Sequence, residues 1–474
     1  MVPGARMIEY PVFLGSANSW MKDFYDAWTS SNHIDFNADS LLEAIDATFK
    51  NPETPVPAED VEALRYSAPT LSHCGKPVIL LPVSANFQRV RSSFSLLLTS
   101  TQQAIVDSVR AFAQQRIRPR TQDFEAQRGY PAALFQELAD LGLMAMTVPE
   151  DQGGAGADYV SYALALIEIA AADGALATIL SIQNSLIVAA LIKDGSAAQK
   201  RQFLPALIAG RMIGAFALTE PDAGSDAAAI KSRAIKDGGD YVLNGSKQFI
   251  SSGKIAGLAI VFAITDPNAG KRGVSAFLVP TDRPGYFVDK VEHKLGQLAS
   301  DTCALRFENL RIEEALRLGG EGRGYRIALS NLEAGRIGIA AQSIGMARTA
   351  LEFAVGYAQQ RRSMGKFIIN HQAVGFRLAD MAARLEAARQ LVLHAASLKD
   401  AGRPCLTEAS MAKLVASETA ETVCSGAIQT LGGYGYIEDF ALAKLYRDVR
   451  VCQIYEGTSD IQRLVIARAL SVTP

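Results

Sequence analysis

No part of this 474-residue sequence concentrates charge of one sign. Its 47 lysines and arginines are mixed among 49 aspartates and glutamates, for a formal net charge of -2. A nucleic-acid binder needs a concentrated basic face, so nucleic acid is not expected as a partner. Closely spaced cysteines are missing too. Cys74, Cys303, Cys405, Cys424 and Cys452 are odd in number and scattered, with no pair at metal-ligand or redox spacing. They read as small buried apolar residues of a reduced compartment, and no metal centre is expected.

An apolar run free of polar interruption is also lacking. The most apolar stretch, 160–192, contains Glu168, Asp173, Gln183 and Asn184, each costly at the centre of a bilayer, so it predicts a pair of core helices and no membrane span. The first thirty residues set Arg6 and Lys22 against Glu9, Asp23 and Asp26. That is neither a secretory leader nor an Arg-rich, acid-poor transit peptide. The expected location is a bacterial cytoplasm, or the mitochondrial matrix in a eukaryote. No repeat recurs at a fixed period.

What is present suits a large globular protein: 49% of the residues are hydrophobic, and the length implies two to four domains. Residues 1–94 mix Pro, Ser and Asn clusters with short apolar runs such as Pro77–Pro82. They carry no motif tied to chemistry and form an extension of unassigned role. Residues 95–213 have helical periodicity, broken at Gly129-Tyr130-Pro131 and by the Gly-rich 151–156, and predict an α-helical domain. Over 214–324 the period becomes two. Tyr241-Val242-Leu243 runs into Asn244-Gly245, a favoured hairpin pair, with a return through Lys247 to Ile250, and further strands are expected at 258–264, 274–279 and 303–307. This predicts a β-barrel or sandwich domain. Residues 325–474 return to long helices, including 372–398 and 410–431, and predict a helix bundle. The class is multidomain α+β in the order α, β, α.

Four segments bear on chemistry. Phe216-Ala217-Leu218-Thr219-Glu220-Pro221-Asp222-Ala223-Gly224-Ser225 ends in a Gly-Ser pair that exposes backbone N–H groups and a hydroxyl; it is an ordinary loop or a surface for a phosphate or ring edge. Lys247-Gln248-Phe249-Ile250-Ser251 puts an aromatic and a hydroxyl at i and i+2, either core packing or the flank of a planar ring. At Arg361-Arg362-Ser363-Met364-Gly365, a long helix is expected to stop at the glycine and the next to begin near His371-Gln372. Its guanidiniums complement a helix dipole or grip a pyrophosphate. Finally, Gln453-Ile454-Tyr455-Glu456-Gly457-Thr458-Ser459-Asp460 follows Gln429-Thr430-Leu431-Gly432-Gly433. It places Glu456 just before a final helix capped by Thr458 or Ser459, a surface glutamate or a carboxylate aimed into a cleft.

The four segments in this order make residues 99–472 resemble the acyl-CoA dehydrogenase family, and the stretch 331–340 is most similar to its short-chain and short branched-chain members. The resemblance implies a homotetramer, a dimer of dimers, with one FAD per subunit. Flavin contacts would fall on Phe216, Leu218, Thr219, Gly224, Ser225, Phe249, Ser251, Thr458 and Asp460. Arg361, Ser363, Gln372, Gln429, Gly432 and Gly433 would approach the dinucleotide of a neighbouring subunit. Substrate contacts would fall on Ser225, Glu333, Arg336 and Gly457.

In the implied reaction Glu456 removes the α proton of an acyl-CoA thioester while the β hydrogen leaves as hydride to flavin N5, giving the trans-2-enoyl-CoA. Electrons then pass to an electron-transfer flavoprotein. Many relatives carry tryptophan where Phe249 stands. Some branched-chain and long-chain relatives take their base from a position that is here Gly335, so the base is assigned to Glu456. The alternatives are an acyl-CoA oxidase that reduces oxygen and a non-catalytic flavoprotein of the same superfamily.

Overall fold

The computed structural model describes residues 98–471. Thr99 opens the first helix, Ser100–Phe112, with a capping box shared with Gln102, so two N–H groups that a helix start leaves orphaned are satisfied. The predicted breaks follow. Arg128 ends the helix Thr121–Gln127 in the left-handed region, and the next helix begins at Ala132. The Gly-rich 151–156 is an ordered turn behind a short 3-10 segment. The expected extension 1–94, with Cys74, lies outside the described residues. The other four cysteines are buried and free.

The two expected core helices are Tyr159–Ala172 and Gly174–Ile182, the second continuing through a π-helical stretch, Gln183–Val188, into Ala189–Asp194. The run Gly174–Asp194 is long and apolar enough to cross a membrane, yet 83% of its most apolar window is buried in the protein. Its polar residues have work inside the fold. Asn184 accepts from the Met146 N–H and donates to the Leu143 and Leu180 carbonyls. Gln183 accepts from the Gly214 N–H and donates to the Leu207 and Met212 carbonyls, so it pins the first strand to the helices. Glu168 is gripped by Arg110 at 3.0 Å and Arg348 at 2.6 Å. Both pairs are two-pronged, which compensates a carboxylate taken out of water.

The strands are β1 (Gly214–Ala217), β2 (Arg233–Asp237), β3 (Asp240–Ser251), β4 (Leu258–Ile264), β5 (Val274–Pro280), β6 (Tyr286–Val291), β7 (Thr302–Glu313) and β8 (Arg317–Leu318). They form one sheet in the order β6-β7-β3-β2-β4-β5-β8, with β1 parallel to β4. All but the last residue of both β4 and β5 is buried, which is why these two segments read as unbroken apolar runs instead of alternating.

The expected hairpin at Asn244-Gly245 is not there. β3 runs straight through it, and the turn lies earlier, at Gly238-Gly239, where Asp237 pairs with Asp240 and Gly238 takes φ +65°. Gly245 marks a bulge against β7 instead. Its role is close approach: a Cβ there would lie 2.4 Å from Ser232 Oγ and 2.7 Å from Ser232 Cα.

The last third is helical: Gly324–Gln360, Gln372–Asp400, Leu406–Leu431, a short Gly433–Tyr436, Ala441–Val449 and Ser459–Ser471. The first of these packs tightly on the core helices, since a Cβ on Gly345 would fall 2.3 Å from the Ile167 carbonyl. Tyr357–His371 falls in a different compact unit from the rest of the described residues. There the helix ends at Gln360, not at Gly365 as the sequence suggested. Arg362–Ser363 pairs with Lys366–Phe367, and Met364 (φ +50°) and Gly365 (φ +80°) form the two-residue turn, whose glycine suits a hairpin rather than a helix end.

Candidate active site

Glu456 follows the 3-10 turn Arg450–Gln453. Both Glu456 (φ +55°) and Gly457 (φ +89°) are left-handed, and Thr458 caps the final helix by accepting from the Ile461 N–H. A glutamate in this region costs of order 1–3 kcal/mol and persists only where its surroundings impose it. They do so through the carbonyls. Gln462 donates to the Glu456 and Gly457 carbonyls (3.2 and 2.8 Å), and Lys413 Nζ donates to the Gly457 carbonyl at 2.6 Å. Arg336 orients Gln462 through a 2.9 Å bond to its amide oxygen. Lys413 and Gln462 are wholly buried.

The carboxylate faces the helix Gly324–Gln360 at Gly335, where a Cβ would sit 2.5 Å from Glu456 Oε2. The glycine is the space the carboxylate occupies. Oε2 is buried and has no hydrogen-bond partner among the described residues. Burial lifts the carboxyl to about 7, with Arg336 and Lys413 pulling partly back. A carboxylate with an unused lone pair and an affinity for protons near neutrality is what a general base requires. Beside it, the Tyr455 hydroxyl donates to Gln342 at 2.6 Å and lies 3.3 Å from Thr178 Oγ1 and 3.4 Å from Gln297 Nε2.

The segment 216–225 lies against β3, because the Gln248 N–H donates to the Thr219 carbonyl. Phe216 packs on Phe262 and Leu218 is buried, while Gly224 and Ser225 are exposed, with open space where a Gly224 Cβ would be. A buried ion pair fixes this loop. Lys247 Nζ reaches Glu220 at 2.7 Å and the Leu218 carbonyl at 3.1 Å, and Glu220 also accepts from the Lys231 and Ser232 N–H groups. The bulge between Lys247 and Ile250 puts Phe249 at φ +58° and leaves it 64% exposed, with Ser251 half-buried beyond it. A phenyl ring left exposed by a kinked strand, next to the Gln248 contact with Thr219, suits the flank of a flat ring system such as a flavin.

The other expected residues are placed as follows. Gln429, Gly432 and Gly433 are exposed at the end of the helix Leu406–Leu431, and Gly432 adopts φ +62°, ψ −131°, a conformation open essentially to glycine alone. Gln372 opens the helix Gln372–Asp400 and is exposed, as is Asp460, which pairs with Arg463. In the separate hairpin unit Ser363 is exposed, Arg361 is half-buried, and the Arg362 guanidinium stacks on Phe367. Glu333 pairs with Lys399. Arg336 is buried and bonded to Gln462 and the Leu332 carbonyl; here it supports the Glu456 turn.

Sequence reasoning missed Lys247, Glu220, Lys413, Gln462 and Gln342. Lys413 left a signal, a lone lysine beside the buried alanines Ala409, Ala412 and Ala416. For the two glutamines no signal exists, because an amide suits core and surface alike.

Known proteins resemble this chain along nearly all of its described length. Three family models match in order: the acyl-CoA dehydrogenase N-terminal domain over 99–211, the middle domain over 215–310 and the C-terminal domain over 322–471. An acyl-CoA dehydrogenase of Bacillus subtilis (strain 168) is 47% identical over 373 residues, 79% of this chain and 98% of its own. The mitochondrial short-chain specific acyl-CoA dehydrogenase of Homo sapiens is 45% identical over 373 residues, 79% of this chain and 90% of its own. The solved butyryl-CoA dehydrogenase from Megasphaera elsdenii superposes with a TM-score of 0.77 at 40% identity, covering 79% of this chain and 98% of its own. With three domains matched in sequence and the fold matched in space, the chain belongs to the acyl-CoA dehydrogenase family and is an oxidoreductase acting on CH–CH groups.

Proposed function

We propose that this enzyme oxidises a short-chain or short branched-chain acyl-CoA to the trans-2-enoyl-CoA, with Glu456 as the base that takes the α proton. The observation that carries the assignment is the Glu456 carboxylate itself: pressed into the space at Gly335, its Oε2 unbonded, and raised to about 7 by burial. Its backbone N–H lies in the same constrained turn and is suited to donate to the thioester carbonyl, stabilising the negative charge that builds as the proton leaves. Carbonyl clamping by Gln462 and Lys413 holds the carboxylate in place.

FAD fits the exposed Phe249 and the open Gly224-Ser225 loop, and when bound it supplies the acceptor for the β hydrogen and its electron pair. Phe216, Leu218, Thr219, Gly224, Ser225, Phe249, Ser251, Thr458 and Asp460 would hold it. Arg361, Ser363, Gln372, Gln429, Gly432 and Gly433 would be contributed by a neighbouring copy in a homotetramer. Ser225, Glu333, Arg336 and Gly457 are the proposed substrate side, and an electron-transfer flavoprotein the proposed acceptor.

The test is Glu456→Gln. The variant is expected to retain FAD and bind butyryl-CoA, while anaerobic butyryl-CoA no longer bleaches its flavin absorbance. Full bleaching at the wild-type rate would remove Glu456 from the reaction. Hydrogen peroxide formed in step with turnover of the wild-type enzyme would assign oxygen, not a flavoprotein, as the acceptor.

A further inference from the structure

Tyr455, the residue before the base, has its hydroxyl at the meeting point of three segments far apart in sequence. Gln342 accepts its proton at 2.6 Å, Thr178 Oγ1 lies at 3.3 Å, and Gln297 Nε2 donates to it at 3.4 Å. These partners are fixed in turn. Gln342 is wholly buried and spends its amide hydrogens on the Gly174 carbonyl (2.6 Å) and Thr178 (2.7 Å), and Thr178 donates to Gln297 at 2.6 Å. Gln297 takes φ +50° and is tied to Asp448 through both its backbone N–H and its side-chain amide. A network with every member committed has one arrangement, so it can transmit position without slack.

We propose that Gln342 is a positioning residue for the reaction: through the Tyr455 hydroxyl it fixes the turn that aims the Glu456 carboxylate at the α carbon. The inference rests on Glu456 being the base. Gln342 touches neither the base nor, on this reading, the substrate; its effect is exerted through Tyr455.

The experiment is a double-mutant cycle of Gln342→Met and Tyr455→Phe on the FAD-loaded enzyme, with Glu456→Gln measured alongside. Each single variant is expected to lose about 10- to 100-fold in kcat, the scale of a carboxylate displaced by about an ångström, with KM for butyryl-CoA within about threefold of wild type. The double variant should lose no more than the worse single, because both cut the same link. Additive losses, an unchanged kcat in Gln342→Met, or a loss confined to thermal stability would overturn the proposal. An active Glu456→Gln would overturn it together with the base assignment. An inactive Glu456→Gln beside a fully active Gln342→Met would overturn the positioning role alone.

Discussion

At the scale of single residues, Glu456 makes two predictions of opposite kind. In its proposed role as base it must be ionised, so kcat/KM should fall about tenfold per pH unit below about 7, and the acidic limb of the profile checks this. For stability the sign reverses. The folded carboxyl, at about 7, lies above its ordinary value of 4.5. The folded protein therefore holds an extra proton between those values, and that contribution is complete below about 4.5 and lost as pH rises through about 7. At pH 8 wild type carries an ionised, desolvated carboxylate that Glu456→Gln lacks. The variant should then be more stable by of order 1–3 kcal/mol in urea unfolding, with the gap closing toward pH 5. A less stable variant at pH 8 would contradict the desolvation account. Gly335→Ala tests the same pocket from the other side. Its Cβ would overlap Oε2, and the carboxylate must swing away, so kcat should drop at least about tenfold while FAD content stays at wild type.

At the scale of elements, β3 shows what a sequence can and cannot disclose. Alternation around Tyr241 and Leu243 is plain, and so is the apolar strength of β4 and β5. The register of β3 is not. Asn244-Gly245 is a good turn pair, but Gly238-Gly239 offers a turn one strand-length earlier, and only the pairing of β3 with β2 and β7 decides between them. The bulge that follows sets Phe249 outward, and it arises from that pairing, not from any local preference. Glu456 was singled out only because its segment resembles the family's, since a glutamate between an aromatic and a glycine before a capped helix reads equally well as a surface residue. The clamp of Lys413 and Gln462 was not, since its members meet across 44 and 5 residues of chain. The buried Lys247–Glu220 pair also escaped notice, and it yields a prediction: Glu220→Gln leaves the Lys247 ammonium buried without its counter-charge. That should cost about 3–5 kcal/mol in denaturant unfolding, several-fold more than removing an exposed pair such as Lys231–Asp222. Equal effects of the two would show that the loop at 216–225 does not depend on the pair.

At the scale of the whole molecule, the helices before and after the sheet are joined by Glu168. Burial alone would raise its carboxyl, but Arg348 and Arg110 outweigh that and hold it at about 2, below the ordinary 4.5. With the folded value depressed, this stability is present above about 4.5 and drains away as pH falls toward 2. Glu168→Gln should lower the unfolding midpoint at pH 7 by an amount equivalent to about 3–5 kcal/mol, with the penalty fading below pH 4. A penalty independent of pH would mean that shape rather than charge makes the joint.

The hollow at Gly335 bears on how this enzyme relates to its kin. Positions 335 and 456 are 121 residues apart along the chain, yet in space the glycine's missing side chain and the glutamate's carboxylate claim the same room, since a Cβ at 335 would lie 2.5 Å from Oε2. An acid at 335 and an acid at 456 would therefore compete for one space, and one of them would have to give way. Glycine at 335 and glutamate at 456 are in this sense a complementary pair, and a change at either, here or in a relative, is meaningful only when both are read together.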